Sequence, residues 1–235
     1  MPEGPVFELR RYRLKRGRRD DLIELFEREF IESQIATGMT LHGMYRDCDD
    51  PDAFVWVRSF PDMPSRARSL AEFYGGPVWK AFGATANDTM INSDNVLLLH
   101  SAGQPPFTAA RSADGGKPLV TVTTYSLAPR REDEFVTFFG NYVAPLMQRA
   151  GARSDACFVT ERSENTFPRL PVREGETVCV QVDAFESAHA YAVFKADLAD
   201  STEWVSDVQP RLDQFVWRQP ETMQLLPTRR SAHVW

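Results

Sequence analysis

A few polar and aromatic side chains are of the types that do chemistry. Arg58, Tyr12 and Asn87 supply a cation, a phenol and an amide. Trp79, Trp56, Asn92 and Glu8 add two indole N–H groups, a second amide and a carboxylate. An amide and an indole N–H beside a partly apolar cavity can hold an oxyanion or a phenolate-like substrate. Trp79, Asn87, Asn92 and Asp94 all fall in the stretch 66–99, RARSLAEFYGGPVWKAFGATANDTMINSDNVLLL. The plainer alternative keeps Trp79 in the core and uses the Asn and Asp residues as caps and turns.

Arg58 shares a strand face with Trp56 and Phe60, where a charge needs a partner or a polar cavity. It suits an anionic substrate, an ion pair with Glu8 or Asp47, or a strand end reaching solvent. Tyr12 and Glu8 share a face of the first strand and complete a proton-transfer set with Arg58. The candidate catalytic residues are therefore Arg58, Tyr12 and Asn87. The candidate ligand-binding residues are Trp79, Asn92, Trp56 and Glu8. Arg10, Arg11, Arg13, Lys15, Arg16, Arg18 and Arg19 form a basic run that reads as a solvated strand end and turn, or else as a phosphate or acidic-partner site.

Other chemistries lack their signatures. His42, His100, His189 and His233 have no HxxxH or HxH spacing, and no Cys/His pairing suggests zinc. Haem on a single axial histidine has no spacing signature; His100 and His189 are the first to test. No dinucleotide, Walker or GxSxG motif is present. No metal and no cofactor are expected. A net charge of −6 argues against a general nucleic-acid surface. No apolar run is long enough for a membrane span, no secretory signal is visible, and three cysteines without metal spacing read as reduced thiols of a cytoplasmic protein.

The elements that must position these residues follow from periodicity. Strands are expected at 7–14, 41–48, 54–60 and 96–100, with helices from Asp20 to the Gly38 stop, at 65–74 and at 77–90. The order is βαββαβ. Residues 104–118 (QPPFTAARSADGGKP) read as a linker. The order then recurs: strands at 120–127, 156–162, 178–185 and 223–226, a helix ended by Gly151 with Pro145 as a kink, and helices near 188–198 and 203–215. Tyr12 and Tyr125, Asp20 and Asp133, Phe26 and Phe139, and Gly38 and Gly151 all stand 113 residues apart. Phe60 and Phe185, and Trp79 and Trp204, stand 125 apart. The 12-residue difference is an insertion placed near 165–176 (NTFPRLPVREGE), either a loop over a pocket or subunit contact or a plain hairpin connection.

The fold class is thus α+β: two tandem ferredoxin-like units, 1–103 and 118–235 joined by a linker at 104–117, forming a dimeric α/β-barrel arrangement in which the two sheets face each other. ELRRYRL, GMTLHGMYRD, PDAFVWVRSF, SRARSLAEFY, PVWKAF and SDNVLLL resemble the NIPSNAP domain of the dimeric α/β-barrel superfamily. RLPVREGE, VCVQVDAF and PETMQLLP resemble the C-terminal part of two-unit bacterial members. The resemblance implies the fold and no particular activity. Superfamily relatives include cofactor-free monooxygenases, small-ring isomerases and haem-binding enzymes. The expected function is binding of a small aromatic or polyketide-like molecule, with or without cofactor-independent turnover in a biosynthetic pathway. The alternative is a non-catalytic scaffold acting through protein–protein contacts. Self-association is expected, because folds of this kind expose strand edges and helix faces. Any single pocket is expected in the first half, where Arg58 stands at the register position that Asp183 takes in the second.

Overall fold

The computed structural model describes residues 4–103 and 118–231. Most of the expected linker, and His233, lie outside the described residues. The chain divides into two compact units. The first takes residues 4–100, 161–174 and 227–231; the second takes 101–103, 118–160 and 175–226.

In the first unit β1 (Val6–Leu14) is followed by α1, which runs from Arg19–Leu25 through a π-helical turn, Phe26–Phe30, into Ile31–Ile35. Then come β2 (Thr40–Asp47), β3 (Ala53–Phe60), α2 (Met63–Gly75), α3 (Pro77–Thr89) and β4 (Met90–Ser101). Asp62 caps α2 by accepting from the Ser65 N–H, and Pro64 and Pro77 sit in first turns where their missing N–H costs nothing. Gly38, with φ +87°, takes the left-handed conformation expected of a residue ending a helix. The strands pair antiparallel in the order β4-β1-β3-β2, with Glu8 opposite Arg58 and Tyr12 opposite Phe54.

Alternation along β1 and β3 sends Tyr12, Leu14, Phe54, Trp56 and Phe60 into one core with Leu22, Phe26 and Phe30 of α1 and Leu70 and Phe73 of α2. Burying this aromatic layer, worth about 25 cal/mol per Å² of apolar surface removed from water, helps hold the helices on the sheet.

The second unit has β5 (Leu119–Ser126), then α4, running Glu132–Phe138, a π-helical turn Phe139–Val143, and Ala144–Arg149. It continues with β6 (Arg153–Thr160), β7 (Val178–Phe185), α5 (Ala188–Asp200), α6 (Trp204–Val208 and Gln209–Leu212) and β8 (Glu221–Pro227). Its strands pair antiparallel in the order β6-β7-β5-β8. The π-helical turns of α1 and α4 begin and end 113 residues apart, so the repeat extends to a local backbone irregularity. Pro145, expected as a kink, lies just after the second turn, whose wider winding accommodates its missing donor.

The last strand of the first unit is longer than the sequence pattern suggests. β4 starts at Met90, directly after α3, so Asn92, Asp94 and Asn95 lie on a strand and not in a turn leading to it. Both Asn92 and Asp94 are exposed. Burial begins only at Val96 and runs unbroken to Leu99, which is why the apolar pattern marks only the second half of this strand.

Candidate functional site

The chemistry-bearing residues of the first unit meet between its helices and its sheet. Glu8, Arg10, Arg58 and Arg66 are all fully buried there. Glu8 and Arg10 come from β1, Arg58 from β3 and Arg66 from the first turn of α2. Glu8 Oε2 accepts from Arg58 Nε at 2.7 Å and from Arg10 Nη1 at 2.8 Å; Oε1 accepts from Arg66 Nε at 2.7 Å. Arg58 Nη2 also lies 2.7 Å from Oε2, without the alignment of a hydrogen bond.

The remaining donors find mostly neutral oxygens. Arg10 Nε donates to Tyr12 Oη at 3.0 Å, and Arg58 Nη1 to Gln34 Oε1 at 2.8 Å. Gln34 is itself fixed by donating Nε2 to the Phe30 carbonyl. Arg66 Nη1 donates to Asn165 Oδ1 at 3.0 Å. Arg10 and Arg58 also stack on Trp56, at 5.6 and 4.9 Å from its ring centroid.

The electrostatics follow from this count. Burial alone would raise the Glu8 pKa; the fields of Arg58, Arg10 and Arg66 overcome that and hold it far below the carboxylate range. Burial lowers the Arg66 pKa, and Glu8 only partly offsets it. Three guanidiniums face one carboxylate, so the set carries an excess of two positive charges.

Beside this cluster is a narrow pocket lined by Tyr12, Phe26, Gln34, Trp56, Tyr74 and Trp79 among others. Its free space is about 20 Å³, room for about one water molecule. Trp79 packs on Phe30, Phe73 and Tyr74 at 4.6–5.7 Å between centroids. Burial and the nearby Tyr12 raise the Tyr74 pKa, so its phenol is neutral at physiological pH. Among the described residues no three His, Cys, Asp or Glu side chains gather as a metal-ligand set.

Five of the seven candidate residues come together: Arg58, Tyr12, Trp56 and Glu8 in or against the charged cluster, and Trp79 in the pocket wall. Asn87 and Asn92 do not join them. Asn87 is exposed on α3, and Asn92 accepts from the Asp94 N–H on the exposed start of β4. Both lie on the outer side of their elements, which spacing alone did not reveal. Arg58 makes the ion pair with Glu8; Asp47 instead pairs with Arg11. The basic run is divided: Arg10 is buried, whereas Lys15 and Arg18 meet Asp88 at the surface.

Arg66, Gln34 and Tyr74 belong to the site although spacing did not single them out. A signal existed: Arg66 shares the stripe of Leu70 and Phe73 at helical spacing, and Gln34 continues the stripe Phe26, Phe30. The insertion is also part of the first unit. Asn165 holds Arg66, and Phe167 stacks on Tyr74 with centroids 5.8 Å apart. Glu161 N and Arg173 N fasten this segment to the Leu98 and Val96 carbonyls of β4.

In the second unit the register positions of Glu8, Arg10, Arg58 and Arg66 hold Thr121, Thr123, Asp183 and Tyr191. Asp183 is buried and accepts from Gln181 Nε2 at 2.9 Å. Burial lifts its pKa to about 7, against hydrogen bonds from Gln181 and Ser154. Cys157 and Cys179 lie nearby as free thiols, with Sγ atoms 3.4 Å apart.

Likenesses to solved structures extend over nearly the whole chain. An anthrone oxidase-like protein has a TM-score of 0.68 at 15% identity, over 98% of this chain and 94% of that one. Two proteins each named "putative monooxygenase" are also similar. The one from Fusobacterium nucleatum subsp. nucleatum has a TM-score of 0.63 at 12% identity, covering 97% of this chain and 94% of its own. The one from Lactobacillus acidophilus has 0.59 at 13%, covering 96% and 94%. At such identities the likeness shows the fold, which is α+β, and not the chemistry. No curated protein matches this chain. The NIPSNAP family model matches residues 7–102, which span β1 to β4 and hold Glu8, Arg10, Tyr12, Arg58, Arg66 and Trp79. This chain carries a NIPSNAP domain.

Proposed function

We propose that the first of two tandem ferredoxin-like units binds a small aromatic or polyketide-like molecule between its helices and its sheet. The observation that carries this reading is the pocket of Tyr12, Trp56, Tyr74 and Trp79 set against the buried arginines. Flat aromatic walls favour a flat ligand, and the fixed polar groups at one end orient it. The present free space admits no such ligand without movement of the walls, so binding must shift side chains at the pocket mouth. The names of the whole-length structural neighbours, oxidase-like and monooxygenase, lean toward an enzyme. The strand order of each unit supports the ferredoxin-like description. The free thiols fit a reducing compartment.

The test is calorimetric titration with anthrone and with 1-naphthol. Saturable binding that Trp79→Ala weakens by up to about tenfold is expected, the range for losing an aromatic contact. If neither compound binds, or if Trp79→Ala binds both unchanged, the pocket reading is wrong and the scaffold reading takes its place. Turnover is measured on the same sample as dioxygen uptake, one O₂ per anthrone converted to anthraquinone and water.

A further inference from the structure

We infer that the buried arginine cluster recognises an anionic oxygen on the aromatic ligand, and that the Asn165–Phe167 segment is the gate over it. The inference rests on the pocket reading above and narrows its ligand class to aromatic carboxylates, phenolates or enolates.

The first observation is the charge count. Glu8 faces Arg10, Arg58 and Arg66, and all four are buried. Unbalanced charge is among the costliest things a core can hold, so a cluster with two surplus cations is built for a further anion. The second observation is independent of charge. Arg66 Nη2 and Trp56 Nε1 are buried donors without a hydrogen-bond acceptor among the described residues. Buried donors are nearly always paired, and Trp56 is itself a pocket wall. A ligand oxygen at this end of the pocket supplies what they lack.

The gate follows from what seals Arg66. Its Nη1 is met by Asn165 Oδ1 at 3.0 Å and Thr166 Oγ1 at 3.5 Å, both neutral and both replaceable by a stronger, charged acceptor. Phe167, two residues on, stacks on Tyr74 of the pocket wall. Lifting this short stretch uncovers the arginine and the aromatic wall together. The flanking bonds from Glu161 N and Arg173 N to β4 keep the rest of the segment in place. The second unit has no counterpart, because Thr121, Thr123, Asp183 and Tyr191 supply no cation at those positions.

The experiment compares 1-naphthoate with 1-naphthamide, which has the same shape and no charge, on the full chain by calorimetry. Wild type is expected to prefer the carboxylate about tenfold or more, and Arg66→Met to lose most of that preference. Arg66→Lys, which keeps the charge, stands in if the methionine variant does not fold, and should retain part of it. Asn165→Ala removes the competing acceptor and should speed association of 1-naphthoate in stopped-flow fluorescence. Equal affinity for the two compounds in wild type overturns the anion inference and leaves the aromatic pocket standing. An unchanged preference in both Arg66 variants overturns it too. Binding of neither compound ends both readings.

Discussion

Glu8 and Arg58 sit directly opposite each other on β1 and β3, and their buried side chains meet at 2.7 Å. Among the described residues this carboxylate is the only anion in contact with the three guanidiniums there. Glu8→Gln therefore leaves three buried cations uncompensated and is expected to cost about 3–5 kcal/mol in urea unfolding. Arg58→Met alone lowers the surplus charge and should cost less. The double variant Glu8→Gln/Arg58→Met should be more stable than Glu8→Gln. If the double variant is the less stable of the two, the cluster's cost lies elsewhere.

Asp183 gives the second unit a pH dependence of opposite sign to that of Glu8. Its pKa is near 7 folded and near 3.8 unfolded. The folded state thus holds a proton that the unfolded state releases, so its contribution is full below about pH 4 and lost as pH rises through 7. Each unit of separation is worth ~1.4 kcal/mol, so the total is a few kcal/mol. Glu8, with its lowered pKa, stabilises above about pH 4.5 and loses that as pH falls. Asp183→Asn should flatten the decline between pH 4 and 7 and raise stability at pH 8. Denaturation midpoints of the two proteins across that range check it; parallel curves would remove Asp183 from the account.

Gly83 leaves room for the Trp79 indole. A Cβ on residue 83 would lie 2.6 Å from the indole, four residues earlier on α3, and that indole is wedged against Phe30, Phe73 and Tyr74. Gly83→Ala should turn the ring and change near-ultraviolet circular dichroism. The net stability change should stay within about 1 kcal/mol, since alanine's helix propensity offsets the crowding. An unchanged aromatic spectrum would mean that the indole yields freely.

What was legible in the sequence, and what was not, divides along physical lines. Element order was legible, because strands with period two and helices with period 3.6 write their apolar faces into the chain. The shared face of Glu8, Tyr12, Trp56 and Arg58 was legible for the same reason. Arg10 was hidden by its neighbours: in a run of seven basic residues, only strand parity separates the one that points inward. Arg66 was hidden because a lone arginine on an apolar helix stripe looks like a helix end reaching solvent. Asn87 and Asn92 attracted attention by type, yet their backbone positions turn them outward. The contact of Asn165 with Arg66 spans 99 residues and follows no local pattern.

Gln34 tests the surplus charge from inside the protein. Its Oε1 is the neutral acceptor for Arg58 Nη1, and it is buried. Gln34→Leu removes that acceptor and leaves a buried guanidinium donor unpaired, at a cost of about 1–3 kcal/mol. Gln34→Glu keeps an oxygen on Arg58 and adds a negative charge where two positive charges are unmatched. It loses the bond from Nε2 to the Phe30 carbonyl, worth about 1 kcal/mol, but the charged contact to Arg58 is stronger than the neutral one it replaces. Gln34→Glu should therefore be less destabilised than Gln34→Leu at pH 7. A carboxylate held beside arginines has a lowered pKa, so this advantage is present above the ordinary carboxylate range and lost as pH falls below it. The same substitution should weaken 1-naphthoate binding, because the new carboxylate occupies the field meant for the ligand. Asn87→Ala, on the exposed face of α3, should leave stability within about 0.5 kcal/mol and binding unchanged. Urea midpoints at pH 7 and pH 4, with calorimetry on the folded variants, decide it. If Gln34→Glu is the worse of the two at pH 7, the cluster does not carry the surplus positive charge assigned to it.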